Sequence, residues 1–369
     1  MSKILDKLFS VASKLQNKYN YNKHYFYAKQ KISKSLLNCK NKRNLSASQK
    51  EEVRSFYKQL TGKNVSLLYH EYFLSRTGKY SKEYMPIDLF EADIIGRANR
   101  WDYYIGSFRD KNFDEVYLPH IKHPHTYLKN INGYYYYEGN PVSKEEAIAL
   151  CNNLKNVVIK PSLLSKGTGV KKINVSNGKI DNDEQTFEEL IDTYKKDYII
   201  QEAIKQHDKL SALNPTSVNT LRIMTYRSGM EVLVVYAAIR IGRIGQVIDN
   251  QSAGGISTII NEDGTLGKYA FGVAGDDMIE KTDTGIVLEG YQIPYFKKAL
   301  EIVKQSHYDL PFFDIVGWDI SINKEGDPVL VEWNGNPGPS QTACGTGLGK
   351  YTERIIKEVW PRVNSRFFV

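Results

Sequence analysis

The residues best placed to do chemistry lie in the segment Phe313–Pro339. Two strand-like runs flank the turn Lys324–Asp327, whose glycine relieves the steric cost of a positive φ angle. If positions 325 and 326 form the centre of this turn, Asp319 and Glu332 face each other across a hairpin. Side chains two residues apart share a face of a strand, so Asn334 joins them. The sequence therefore predicts three oxygen-bearing side chains on one face.

Two carboxylates within about 5.5 Å of each other repel unless a cation or a proton lies between them. A pair of Mg²⁺ ions fits this cluster, because Mg²⁺ takes a few protein oxygens and completes its shell with phosphate and water. We therefore predict that Asp319, Glu332 and Asn334 bind the Mg²⁺ of a nucleotide. The alternative is a solvent-facing hairpin whose acids are incidental, but such hairpins rarely continue into a conformationally fixed run like Pro337–Pro339.

A second candidate feature is a glycine-bearing loop that follows a lysine. The run Val157–Pro161 reads as a strand that ends near Lys160, and a basic strand resumes after Val170. Such a unit can place backbone N–H groups over phosphate oxygens while the lysine supplies a positive charge beneath them. The loop does not match the P-loop pattern, and an ordinary turn is the alternative. Its candidate phosphate-binding residues are Ser162, Ser165, Lys166, Gly167, Thr168 and Gly169.

Two arginines in later strand-like runs are candidates for contact with the reacting groups. Arg222 lies in the run Leu221–Tyr226 and Arg240 in the run Val232–Ile241. When a carboxylate attacks a terminal phosphoryl group, charge spreads over the equatorial oxygens, and the paired N–H donors of arginine stabilise it. We place Arg222 on the nucleotide side and Arg240 on the carboxylate side. The alternative for each is a surface arginine with a buried aliphatic stem.

The glycine-rich turn before Ile256 could let a substrate approach the backbone closely, and its candidate substrate-binding residues are Asn250, Gly254 and Gly255. A simple hairpin entry explains these residues nearly as well. The histidines and cysteines show no metal-ligand spacing, and no Ser–His–Asp arrangement is recognisable. The sequence therefore does not indicate an acyl-enzyme.

Taken in their order along the chain, these motifs resemble those of the ATP-grasp enzymes. The similar elements are the strand with Lys160, the glycine-bearing loop, the strand end Gln201–Ile204, Asp319 with Glu332-Trp333-Asn334, and Asn336-Pro337-Gly338. The resemblance runs from about Asp110 to Leu348, and the cluster around Asp319 is its most specific part. Two further segments, Ser217–Arg222 and Asp249–Ile256, are similar to the branch called sugar-transfer associated ATP-grasp.

The resemblance implies a set of roles around a nucleotide. Lys160 would contact phosphate oxygens, and Asp208 would bind the ribose. Lys111 would lie on the nucleotide side of the preceding lobe, and a solvated surface lysine is the alternative for it. The residues expected near the adenine are Gln201, Glu202, Ala203 and Ile204. The resemblance also implies two Mg²⁺ ions. Asp319 would bind the first ion, Glu332 would bridge the two, and Asn334 would help to hold the second.

The resemblance also implies an α+β protein with the ATP-grasp fold, in which two α+β lobes grip the nucleotide, preceded by a basic helical N-terminal region. Runs rich in β-branched residues between Gly, Asn and Asp turns are expected as strands over 156–160, 171–175, 198–204, 220–227, 232–241, 256–261, 315–323 and 328–332. Helices are expected over 187–195, 295–307 and 352–360. We divide the chain into a basic helical region (1–85), a preceding lobe (86–140), a lobe with the phosphate loop (141–205) and a C-terminal lobe with the hairpin (206–369).

The chain has 369 residues and a formal net charge of +8, and the excess of positive charge lies in the N-terminal part. Residues 1–60 contain 14 Lys and Arg but 3 Asp and Glu. Apolar residues at Ile4, Leu8, Val11 and Leu15 recur at helical spacing, with lysines mostly on the other face. This pattern predicts a basic amphipathic helix, which either lies on anionic lipid or docks on the body as an ordinary surface helix. The same stretch matches no nucleic-acid-binding motif.

The 3 cysteines show no paired spacing, and no apolar run approaches the ~20 residues that span a bilayer. We therefore expect a cytoplasmic protein that contacts at most the inner face of a membrane.

One hypothesis and two alternatives follow. In the hypothesis, ATP and Mg²⁺ serve to phosphorylate a carboxylate, which an amine then attacks to give an amide. The partners are a small-molecule or glycan-linked carboxylate, such as a sugar acid of a surface polysaccharide, and an amine such as an amino acid. The first alternative is a kinase that transfers phosphate to a sugar hydroxyl from the same nucleotide site. The second is a non-catalytic binding module whose function lies in residues 1–60.

Overall fold

The computed structural model describes residues 2–101, 103–165, 167–246, 249, 254–272 and 278–367. It consists of a helical N-terminal region and two lobes, each built on an antiparallel sheet. This is the predicted α+β architecture with a helical region in front.

The N-terminal region is helical because its apolar residues recur at helical spacing, and its second helix is capped at both ends. Its helices are α1 (Ser2–Leu37), α2 (Ala47–Thr61), α3 (Leu68–Thr77), α4 (Ile87–Leu89), α5 (Ile95–Ala98) and α6 (Asp114–Tyr117). Ser46 begins α2 with a capping box, since its hydroxyl accepts from the N–H of Gln49 and the Gln49 side chain accepts from the N–H of Ser46. Gly62 ends the same helix at a φ of 69°.

The first lobe is a six-stranded antiparallel sheet with two helices packed against it. Its elements are β1 (Thr126–Ile131), β2 (Tyr134–Tyr137), β3 (Asn140–Val142), α7 (Lys144–Leu150), β4 (Val157–Pro161), β5 (Lys171–Ile173), the small hairpin β6 (Val175–Ser176) and β7 (Lys179–Ile180), α8 (Phe187–Tyr194) and β8 (Tyr198–Glu202). The strand order is β3-β2-β1-β8-β4-β5. Side chains such as Leu128, Ile159 and Phe187 form its core.

The second lobe is a five-stranded antiparallel sheet in the order β11-β10-β9-β12-β13. Its elements are α9 (Asp208–Leu213), β9 (Thr220–Ser228), β10 (Glu231–Ile241), β11 (Ile256–Ile259), α10 (Phe296–Ser306), β12 (Ile315–Ile322), β13 (Pro328–Asn334), α11 (Gln341–Cys344) and α12 (Thr352–Val359). One face packs on α10 through residues such as Trp318 and Val303. Part of the other face packs on the N-terminal helices and α12 through Tyr226 and Ile355. The rest of that face borders a cleft.

The six-stranded sheet crosses the division that the sequence suggested at position 141. Strands β1 to β3 were not predicted, yet β1 pairs with β8 and so joins the sheet that carries β4. The sequence did contain a hairpin signal here, because Asn-Gly is a preferred two-residue hairpin turn. In the structure Asn132 and Gly133 both have the positive φ angles of such a turn, 51° and 93°. The strands from Thr126 onward therefore belong with the lobe of the phosphate loop.

Within the part of the chain that the structure describes, no helix is both long and apolar enough to cross a bilayer.

Candidate functional site

A cleft lies between the two sheets, and its walls come from both lobes. The ends of β4 and β8 form one side, while β9, β10, β12 and β13 form the other. It encloses about 1210 Å³, part of which is open to solvent. The predicted site residues that line it are Lys111, Lys160, Gly167, Thr168, Gln201, Glu202, Ala203, Ile204, Arg240, Asp319 and Glu332. The fold therefore gathers residues from distant parts of the sequence around one cavity.

The β12–β13 hairpin pairs Asp319 with Glu332, as predicted. Its turn differs from the prediction, because residues 324–326 form a three-residue loop closed by a hydrogen bond from the N–H of Asn323 to the carbonyl of Asp327 at 3.0 Å. A bulge between Asp319 and the next residue then shifts the register by one position. These two deviations cancel, so the acids still face each other.

Asp319 is a buried carboxylate held by two arginines. Arg222 donates to both of its oxygens, with Nε 2.7 Å from Oδ1 and Nη2 2.7 Å from Oδ2. Arg240 approaches the same group, with Nη1 3.3 Å from each oxygen. Burial is the largest single influence on the pKa of Arg222 and lowers it, but the charge of Asp319, its hydrogen bonds and the nearby Tyr236 and Glu332 together raise the pKa. The two arginines therefore fix the carboxylate in one orientation.

Arg222 does not occupy the position that the sequence suggested for it. Its side chain is 6 % exposed and it lies outside the lining of the cleft. The bidentate contact with Asp319 occupies two of its N–H donors in this structure, so it is not presented to a phosphate. In this structure Arg222 orients Asp319, and Arg240 lines the cleft.

Two lysines lie next to Glu332. Lys111 Nζ is 3.3 Å from Glu332 Oε1 and donates to the carbonyl of Leu164 at 2.7 Å. Burial and the charge of Lys111 lower the pKa of Lys160 to about 8, although Asp114 and Glu332 act in the opposite direction. Two lysines therefore lie close together beside Glu332 and Asp114, and a bound anion such as phosphate would relieve the repulsion between the lysines.

Asp114 is a buried acid that the sequence did not single out. It begins α6, accepts a hydrogen bond from Trp333 Nε1 at 3.0 Å, and has a pKa raised to about 7, mainly by burial. It lines a second pocket that adjoins the cleft and shares Lys111 and Glu332 with it. Asn334 lines this pocket rather than the cleft. No local sequence pattern marks Asp114, because its burial depends on tertiary packing.

The two segments that resemble the sugar-transfer branch contact each other. The N–H of Thr220 donates to Asp249 Oδ2 at 2.9 Å, and its hydroxyl donates to the same oxygen. Both residues line the cleft, and burial raises the pKa of Asp249 to about 6. Asn219 is fully buried and bonds to the carbonyls of Leu210 and Asn214 at 2.8 and 2.9 Å. Asn219 therefore holds the strand entry in place, while Thr220 and Asp249 face the cavity.

The end of β8, which the resemblance implies lies near adenine, lines the cleft. The N–H of Glu202 donates to the carbonyl of His125 at 2.8 Å, and that of Ala203 donates to Asn156 at 2.8 Å. Both donors are thus used within the lobe.

Some predicted residues are not brought to the cleft. Ser162 is fully buried, its N–H donates to the carbonyl of Asp197 at 2.7 Å, and its hydroxyl has no hydrogen-bond partner among the described residues. Asp208 is exposed in the first turn of α9 and outside the lining, so its position does not support the expected ribose contact. Asp208 follows β8 closely in the sequence, but the sequence does not show that the chain leaves the cleft after this strand.

The remaining predicted residues are distributed around the cleft. Ser165 lines the adjoining pocket and Gly169 a separate outer one. Gly254 is exposed with a φ of 97°, and Gly255 is buried just before β11. The other two, which lie outside the described residues, are Lys166 and Asn250.

The donor set fits a nucleotide-bound Mg²⁺ better than a metal held by protein alone. The described residues contain no group of three or more His, Cys, Asp or Glu that could hold a metal. Asp319 and Glu332 are cross-strand partners that both line the cleft. Mg²⁺ commonly takes one or two carboxylates together with phosphate and water, so two acids near two lysines suit it.

The fold and the sequence match define a protein of the ATP-grasp class. The chain belongs to the sugar-transfer associated ATP-grasp family, whose sequence model matches residues 108–357. The expected family and fold are confirmed. No curated protein matches the chain.

Several solved structures are similar in fold. An L-amino acid ligase from Bacillus licheniformis is 13% identical with a TM-score of 0.38, over 70% of this chain and 49% of that one. N5-carboxyaminoimidazole ribonucleotide synthetase from Thermotoga maritima is 15% identical with a TM-score of 0.36, over 71% and 52%. VanG D-Ala:D-Ser ligase from Enterococcus faecalis is 13% identical with a TM-score of 0.41, over 68% and 60%. The chain thus spans about half the length of the first two, and these likenesses say nothing about its substrate.

Proposed function

We propose that this protein is an ATP- and Mg²⁺-dependent ligase that joins a carboxylate to an amine. The observation that carries the proposal is the Asp319–Glu332 pair at the cleft, with Lys111 and Lys160 beside it. Two carboxylates that can hold a divalent cation, next to two cations that can hold phosphate, match the needs of phosphoryl transfer. Family membership supports this class of chemistry.

The chain's own residues provide binding and charge. Asp319, Glu332 and Asn334 would hold Mg²⁺, and Lys111 and Lys160 would bind the phosphates. ATP supplies the phosphoryl group that converts the acid into a reactive acyl phosphate. Arg222 keeps the Asp319 carboxylate in one orientation, which lowers the cost of assembling the site.

Arg240 is the residue that we assign to the reacting acid. It lines the cleft and lies 3.3 Å from Asp319, so a carboxylate beside it would be close to the metal-binding acids. Its guanidinium can stabilise charge that builds up on the oxygens during transfer. The amine would then attack the activated carbon and release phosphate. The protein mainly positions the groups, because the acyl phosphate carries the reactivity.

We further propose that the acid is a sugar acid of a surface polysaccharide or its precursor, and that the amine is an amino acid or similar compound. The name of the family, which refers to sugar transfer, supports this choice.

The experiment supplies the full-length protein with ATP, Mg²⁺, a panel of sugar acids and hydroxylamine. Hydroxylamine intercepts an acyl phosphate, so a ligase produces an acyl hydroxamate together with ADP. The Glu332→Gln variant, assayed in parallel, should produce neither. A stable phosphomonoester on a sugar hydroxyl, without hydroxamate, would contradict the ligase proposal and identify a kinase.

A further inference from the structure

Helix α1 is attached to the body through one of its faces. Tyr21 and Tyr25 donate to Asp93 Oδ2 at 2.7 and 2.6 Å, and Lys63 Nζ lies 2.8 Å from the same oxygen. The Asp93 side chain is 1 % exposed, and Ile32, further along the helix, is buried in a small core. These contacts fix the C-terminal half of α1 and therefore the direction in which the helix runs.

A different face of α1 carries an apolar stripe that this docking leaves in solvent. Val11, Leu15, Tyr19 and Phe26 are 49, 64, 59 and 59 % exposed. At about 100° per residue, these four positions fall on one side of the helix, and that side is about 100° away from the side with Tyr21, Tyr25 and Ile32. The apolar residues of α1 are therefore not all explained by packing on the body.

The charge of α1 limits what can cover the stripe. The helix contains eight lysines and one acid, Asp6; the lysines are Lys3, Lys7, Lys14, Lys18, Lys23, Lys29, Lys31 and Lys34. The exposed Lys18 and Lys23 border the stripe on its two sides. A second copy of α1 would bring like charges together along the whole contact. An anionic surface would accept both the apolar stripe and the lysines beside it.

We propose that the exposed stripe of α1 is a membrane-binding surface that lies on a bilayer containing anionic lipid. The apolar side chains enter the boundary between headgroups and acyl chains, and the bordering lysines interact with the lipid charge. Because the other face of α1 is fixed to Asp93, binding also sets the orientation of the body relative to the membrane. Membrane binding by α1 does not depend on which reaction takes place in the cleft.

The test uses co-sedimentation of the full-length protein with vesicles of phosphatidylcholine alone and of phosphatidylcholine mixed with phosphatidylglycerol. The variant Val11→Glu with Leu15→Glu places two acids in the stripe. The matched control, Ser13→Glu with Asn20→Glu, adds the same charge at exposed positions on the opposite side of the helix. Thermal melting and ATP turnover without vesicles, measured for all three proteins, show whether each is folded and active.

We expect the wild type to bind the mixed vesicles and to bind phosphatidylcholine weakly. The stripe variant should lose roughly tenfold or more of its partition, because it loses apolar burial as well as charge. The control should lose much less. Equal losses in the two variants, or a wild type that does not bind the mixed vesicles, would overturn the proposal. A wild-type dimer in solution that the stripe variant converts to monomer would identify a second copy as the occupant and would also overturn it.

Discussion

Asp319 and Glu332 face each other across one hairpin, but different cations hold them. Arg222 and Arg240 contact Asp319, and Lys111 contacts Glu332. The Asp319 side chain is 6 % exposed and that of Glu332 is 21 % exposed. Two arginines thus hold Asp319 in a buried position, while Glu332 contacts a lysine that also donates to the carbonyl of Leu164. We infer that Asp319 is preorganised, and that Glu332 exchanges its lysine contact when a nucleotide binds.

Removing the charge of Glu332 should abolish most ATP turnover. We expect Glu332→Gln, and likewise Asp319→Asn, to reduce turnover by at least about a hundredfold, because each removes charge that stabilises the metal. ADP release at saturating Mg²⁺ measures this. The matched control is Glu325→Gln, an exposed acid in the turn of the same hairpin. Wild-type rates in Glu332→Gln would end the metal assignment.

Replacing Arg222 distinguishes a positioning role from direct contact with phosphate. We expect Arg222→Met to lower the free energy of unfolding by about 3–5 kcal/mol, because it leaves a buried carboxylate with one partner fewer. The Mg²⁺ concentration for half-maximal turnover should also rise. Urea denaturation and a Mg²⁺ titration measure both effects, with Arg227→Met on the same strand as the control. Unchanged stability and Mg²⁺ dependence together with lost turnover would instead indicate that Arg222 acts on the phosphate.

Nucleotide affinity should depend on the protonation of Lys160. Its pKa is about 8 in the folded protein against 10.5 for an unperturbed lysine, so the free site loses this charge as the pH rises through about 8. We expect affinity for ATP to fall from about pH 7 to about pH 9, and to fall much less in Lys160→Arg, since arginine stays charged. Calorimetric titrations across this range measure the effect. Identical profiles for the two proteins would contradict the prediction.

The lowered pKa of Lys160 should also make the stability of the fold depend on pH. Between the folded and unfolded pKa values the unfolded chain binds more protons at this position than the folded one. The contribution of Lys160 to the free energy of unfolding should therefore increase with pH from about 8 to about 10.5. Lys160→Met should accordingly be more stable than the wild type at neutral pH while binding ATP more weakly. A loss of stability in Lys160→Met at neutral pH would argue against this.

Gly317 faces Asn334 on the hairpin, and the site depends on its having no side chain. A Cβ there would lie 2.6 Å from Pro337 Cβ and 3.1 Å from Arg222 Nη1. We expect Gly317→Ala to cost about 1–3 kcal/mol of stability and to weaken turnover by displacing Arg222. Gly338→Ala is the control, because nothing lies within 4 Å of a Cβ at that position. Equal melting temperatures in the two variants would refute this.

The sequence predicted much of the second lobe, because its strands have strong β-branched patterns and clear turns. The expected strand over 315–323 is observed as Ile315–Ile322, and the helix over 295–307 as Phe296–Ser306. The hairpin register was correct although its turn was not, since a longer loop and a bulge compensate for each other. Strands β1 to β3 were missed because their tyrosine-rich runs lack an alternating pattern, although the Asn-Gly turn marked their position.

The positions of site residues were predictable where strand pairing determines them. They were not predictable where the burial of a side chain or the course of a loop determines them. Pairing brings Asp319 to Glu332, and this follows from the spacing of the two runs. Whether Arg222 faces the cleft or is buried against Asp319 depends on tertiary neighbours such as Tyr236, which come from other strands. The burial of Asp114 and the exposure of Asp208 are likewise tertiary outcomes that no short motif reports.

The most direct test of the central claim is a crystal structure with Mn²⁺ and a non-hydrolysable ATP analogue, in which anomalous scattering locates the metal. We expect manganese within coordination distance of Asp319 and Glu332, with the triphosphate beside Lys111 and Lys160 and the Arg222–Asp319 contact intact. A nucleotide bound elsewhere, or a metal that contacts neither acid while the analogue occupies the cleft, would contradict the account.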